Sequence, residues 1–165
     1  MRGAVIALAV VLGFVAWLAT KDDGSGPSGG GSEGVVSAGE LSKFAEGLEY
    51  PVYWAGPPPA GAELELVELA EGVQVRYVEP GLEATEELTI GSYPVPNPRA
   101  AVAAVAREPG AVIRQGAGAR VVTNADKPTS VYFASAGNEV QVEVYDPDPA
   151  RAMALARSGR VQPVP

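Results

Sequence analysis

The chain has 165 residues, with 12 Lys plus Arg against 20 Asp plus Glu, and contains neither cysteine nor histidine. A net charge of −8 with no basic stripe argues against nucleic acid as a partner, because phosphate binding needs clustered cations. Without Cys and His there is no disulfide framework, no thiolate metal site and no histidine base, and no cofactor is implied.

In chain order, the first feature is Ala4 to Thr20, seventeen residues without a charge. As a helix it would span about 25 Å, the short end of what a bilayer core requires. Lys21 and the indole edge of Trp17 could snorkel to make up the difference. A cleaved signal peptide is the rival reading, and it needs small residues at −3 and −1 of the cut. Cutting after Ala19 places Trp17 at −3, and cutting after Ala16 places Phe14 there, so an uncleaved anchor over residues 1–21 is favoured. Arg2 precedes the segment, while Lys21, Asp22 and Asp23 follow it. This predicts a single-pass membrane protein with its N-terminus cytoplasmic and its C-terminal domain extracytoplasmic.

Asp22 to Gly34 is rich in Gly and Ser, so residues 22–36 read as a flexible linker and 37–165 as the folded domain. Ser37-Ala38-Gly39-Glu40 is a capping box opening a helix to about Leu48, with Leu41, Phe44, Ala45 and Leu48 on one face. Asn97-Pro98 and Asp148-Pro149 each pair an N-cap with a proline, opening helices over 99–107 and 150–158. Between them, period-two alternation predicts strands at Glu63–Leu66, Gly72–Glu79, Leu88–Tyr93, Val121–Thr123, Ser130–Ala134 and Glu139–Tyr145. Ala136-Gly137-Asn138 reads as a hairpin turn. Val73, Val75 and Tyr77 share a face opposite Gln74 and Arg76. Val140, Val142 and Val144 lie opposite Gln141 and Glu143. The expected class is α+β: a mostly antiparallel sheet of six to eight strands, wet on one face, with three short helices after the membrane helix.

Several runs carry a resemblance: Tyr50-Pro51-Val52-Tyr53-Trp54-Ala55-Gly56-Pro57, Val75-Arg76-Tyr77, Leu88 to Pro94 and Val140 to Pro147. They resemble an uncharacterised group of small actinobacterial proteins with the same plan of anchor, Gly/Ser linker and α+β domain. That resemblance implies architecture and no activity. In its order of elements the chain also resembles extracytoplasmic domains of the lipoprotein-carrier-like and DUF4367 kind, which implies an apolar groove against a curved sheet.

Catalytic candidates are few. Lys127-Pro128-Thr129-Ser130 groups a base with two hydroxyls, but at a strand entry after a proline, where a solvated loop accounts for it. Asp146 and Asp148 would serve a carboxylate-based envelope hydrolase or a calcium site, yet Asp148 already has a capping role and no looped ligand spacing is present. The aromatic pair Tyr53 and Trp54, just before Gly56-Pro57-Pro58-Pro59, is the candidate binding site. Neighbouring strand residues face opposite ways, which predicts that one of the two is an exposed anchor. The expected function is non-enzymatic: a membrane-tethered module binding an envelope protein or an apolar ligand. The alternatives are a structural accessory subunit of a membrane complex and the carboxylate hydrolase.

Overall fold

The computed structural model describes residues 33–135, 137 and 139–165. The proposed membrane helix, residues 22–32 of the linker and two residues of the predicted turn at 136–138 lie outside them. Among the described residues no helix is long and apolar enough to cross a membrane.

The domain opens with β1 (Glu33–Val36), α1 (Ala38–Glu46) and the two-residue β2 (Tyr53–Trp54). A hairpin follows, β3 (Glu63–Leu69) and β4 (Gly72–Val78), then β5 (Leu88–Pro94) and α2 (Pro98–Val105). The meander β6 (Ala111–Gln115), β7 (Arg120–Asn124), β8 (Lys127–Phe133) and β9 (Val140–Tyr145) leads to α3 (Pro149–Arg157) and a terminal β10 (Gln162–Pro163). Eight strands form one antiparallel sheet in the order β1-β3-β4-β5-β9-β8-β7-β6, and β10 pairs with β2 in a separate ribbon. The α+β class, the antiparallel sheet and the three helices are as expected.

All three caps form. Ser37 and Glu40 exchange hydrogen bonds in a full capping box, with Ser37 N–H to Glu40 Oε2 at 2.8 Å. Asn97 Oδ1 accepts from Ala100 N–H at 3.0 Å, and Asp148 Oδ1 from Ala150 N–H at 2.8 Å. Each such cap is worth about 1 kcal/mol. In α1, Leu41 is fully buried and Phe44 and Ala45 pack against the core as their spacing requires; Leu48, expected within the helix, packs there too but lies just past its end at Glu46. In α3 the deeply buried residues are Ala152 and Ala156, with Met153 and Leu155 only partly covered. Small side chains there let the helix lie close to β7, β8 and β9.

One sheet face is apolar. Leu64, Leu66, Val73, Val75, Ile90, Val131, Val142 and Val144 form the main core with Leu41, the β2 ribbon and α3. A smaller cluster on the opposite face joins Val102 and Val105 of α2 to Val122 and Tyr132.

Two expectations need correction. Residues 33–36, expected as the last part of the linker, belong to the sheet as its edge strand, paired in register from Glu33 opposite Val67 to Val36 opposite Leu64. The polar face is also not wet. Gln74 and Gln141 are 1 % exposed and Glu143 is 2 % exposed. Alternation fixes which side these residues take, but not whether that side meets water.

Candidate functional site

The aromatic pair was expected to place one ring at the surface, and it does not. Tyr53 is 2 % exposed and Trp54 is 6 % exposed. Strand β2 lies against β5 on one side, where the Tyr53 N–H donates to Ser92 Oγ at 2.8 Å, and pairs with β10 at its edge. The Tyr53 ring meets Phe133 edge-on, with centroids 6.1 Å apart. Two-sided cover defeats the alternation rule, which assumes one open face. Both rings are core, and the Trp54 indole N–H finds no acceptor among the described residues.

The structure opens just beyond them instead. A groove of about 650 Å³ runs between the loop Ala55–Pro59, the ends of β4 and β5, and α3. Tyr77 and Leu88, register partners on adjacent strands, lie at its floor. Pro57, Pro59, Ala154 and Leu155 supply apolar walls. Three consecutive prolines fix the φ angles of the loop and stiffen it. Tyr77 ties the loop down: its hydroxyl accepts from Ala55 N–H at 2.8 Å and donates to Gly56 C=O at 2.8 Å. Burial, partly offset by the Ala55 amide and the charge of Arg160, pushes the Tyr77 phenol up to about 12. It therefore stays protonated and keeps donating at every physiological pH.

The groove's charged residues are Asp146, Arg151 and Arg160. Asp146 is buried and fully engaged. Its carboxylate accepts from Asp148 N–H at 2.8 Å and from Arg151 Nε at 3.0 Å, with Arg151 Nη2 at 2.9 Å. Asp148 caps α3. The two carboxylates are thus spoken for by an arginine, backbone amides and a helix end, which leaves neither placed as an acid–base pair facing the groove. Lys127 is exposed at the start of β8. Among the described residues no group of three or more Asp or Glu side chains is arranged to hold a metal ion.

A second polar cluster lies on the opposite face. Gln74 Nε2 donates to Tyr93 Oη at 3.0 Å; the Tyr93 hydroxyl donates to Glu143 Oε2 at 3.1 Å, and the Tyr132 hydroxyl to Glu143 Oε1 at 3.0 Å. Tyr93 reaches that position by folding its ring over Gly91, where an added Cβ would come within 2.6 Å of ring atoms. Desolvation raises the Glu143 carboxyl despite its hydrogen bonds. Burial, reinforced by the nearby Glu143 charge, holds the Tyr93 and Tyr132 phenols well above their usual value. Arg76 sits beside this chain, paired with Glu65 and, at 3.9 Å, with Glu87.

Comparison with known proteins returns no match: no family model, characterised sequence or solved structure is similar to the chain. Of the residues singled out in the sequence, Pro57, Pro59 and Asp146 line the groove, whereas Tyr53 and Trp54 do not. One signal was available: residues 151–160 carry three arginines and no acid in an otherwise acidic chain.

Proposed function

We propose that this protein is a non-enzymatic, membrane-tethered extracytoplasmic module that binds an apolar ligand at the cell envelope. The carrying observation is the groove between the proline loop and α3, whose apolar walls and volume fall within the range of small-molecule sites. Its rigidity supports binding, because a loop already fixed by three prolines and by Tyr77 loses little freedom when a ligand arrives. The tether and orientation rest on the uncharged segment Ala4–Thr20 and the charges that flank it. The same site could receive an apolar side chain from an envelope protein.

The test is a titration of the full chain, held in phosphatidylcholine nanodiscs, with 1-octanol, followed by methyl resonances. Saturable shifts at Leu88, Ala154 and Leu155 are expected. Shifts confined to residues 1–21, as from alcohol dissolved in the bilayer, would count against the groove.

A further inference from the structure

The groove's walls are apolar, yet its rim carries an unbalanced positive charge, and resting on the binding reading above, we propose that its ligand is an anionic amphiphile. Such a molecule would lay an aliphatic chain between Pro57, Pro59, Leu88 and Leu155 and turn a phosphate or carboxylate head toward Arg160. Arg151 and Arg160 stand against one acid, Asp146, and Arg151 is already committed to that acid through two nitrogens. Arg160 is exposed and makes no ion pair among the described residues; its backbone N–H alone is anchored, to Ser158 Oγ at 3.1 Å. Ser158, also on the rim, adds no free donor, because its hydroxyl donates to Leu155 C=O at 2.7 Å, so the anion's partner is the Arg160 guanidinium.

The location makes the charge informative. The whole chain is at −8, so an exposed arginine left over once Asp146 is matched by Arg151 runs against the protein's own field. Arg157, the third arginine of this stretch, is otherwise employed: its Nε donates to Gln115 C=O at 3.0 Å, away from the groove. The remaining guanidinium at the groove mouth is the planar, multiply donating group suited to phosphate and carboxylate oxygens. A lone exposed arginine holds a bare anion weakly, and an apolar groove this open holds a bare alkane weakly. A ligand that joins the two gains from both.

The experiment compares octyl phosphate, octanoate, 1-octanol and inorganic phosphate on the full chain in phosphatidylcholine nanodiscs, read at Leu88, Leu155 and the Arg160 guanidinium. Octyl phosphate is expected to bind tighter than 1-octanol, with inorganic phosphate much weaker than either. Arg160→Gln should cost octyl phosphate about fivefold in affinity. It should leave 1-octanol unchanged, Arg160→Lys should recover part of the loss, and Arg157→Gln should have no effect. Octanoate against octyl phosphate tells which head is preferred. Shifts at Arg160 on adding phosphatidylglycerol to the nanodisc, without any soluble ligand, would support the proposal and assign the head to the bilayer. Equal affinity for octyl phosphate and 1-octanol in the parent chain would overturn the anionic preference while leaving the apolar site standing. Binding of inorganic phosphate as tight as octyl phosphate would overturn the amphiphile. Failure of every octyl compound to shift Leu88 and Leu155 would remove the binding site itself.

Discussion

Trp54 separates two accounts of the same residue. A surface anchor can be truncated at little cost to folding, whereas a core indole leaves a cavity. Because it is 6 % exposed and packed with the main core, Trp54→Ala should destabilise the domain by about 3–5 kcal/mol, measured by urea unfolding. A cost below about 1 kcal/mol would mean that the ring is not packed as described. Glu143 makes a prediction with a definite sign. Its carboxyl is raised in the folded state above the value near 4.5 expected in the unfolded chain, so the native state holds the proton more tightly. The stability this contributes is complete below pH 4.5 and is lost as pH rises through the folded-state value. Unfolding measured from pH 4 to 8 should therefore show Glu143→Gln gaining on the parent as pH rises. A constant difference across that window would contradict the assignment. Gly91 is coupled to the same network: Gly91→Ala should cost about 1–3 kcal/mol by displacing the Tyr93 ring, and much less in a Tyr93→Leu background.

Among the elements, what could be read from sequence was what is encoded locally. Ser37, Asn97 and Asp148 were identifiable as caps because a cap involves only three or four neighbouring residues. Six of the strands were legible through alternation. Strand β1 was not, since Glu-Gly-Val-Val continues a glycine-rich run and becomes a strand only by pairing with β3. The ribbon β2/β10 joins residues more than a hundred positions apart, and β10 ends on proline, so no local signal announces it. The polar face was misread for a related reason: Gln74, Arg76, Gln141 and Glu143 have the pattern of a solvated side, and their burial is a tertiary fact. Asp148→Ala tests the local layer directly. It removes a helix cap and should lower stability by about 1 kcal/mol without changing ligand affinity at the groove. Loss of binding at unchanged stability would instead revive a functional role for that carboxylate.

For the whole molecule, the groove is assembled from four stretches of chain: the proline loop, the end of β4, the start of β5, and the run from Asp146 through α3 to Arg160. Its lining is therefore nearly invisible to motif reading, although the acid-free arginine stretch lies at its rim. On the proposed tether, the groove would hold its ligand near the membrane. Protease added to spheroplasts should digest residues 37–165, and full protection would reverse the orientation read from Arg2 and the flanking charges. The most direct measurement of the binding claim is the affinity of Ala154→Glu for 1-octanol in nanodiscs, beside its melting temperature. Ala154 is exposed on the groove wall, so glutamate preserves the helix while filling the groove with a charged side chain. The groove account predicts lost octanol shifts at Leu88 and Leu155 with an essentially unchanged melting temperature. Octanol bound as tightly as by the parent chain would contradict it.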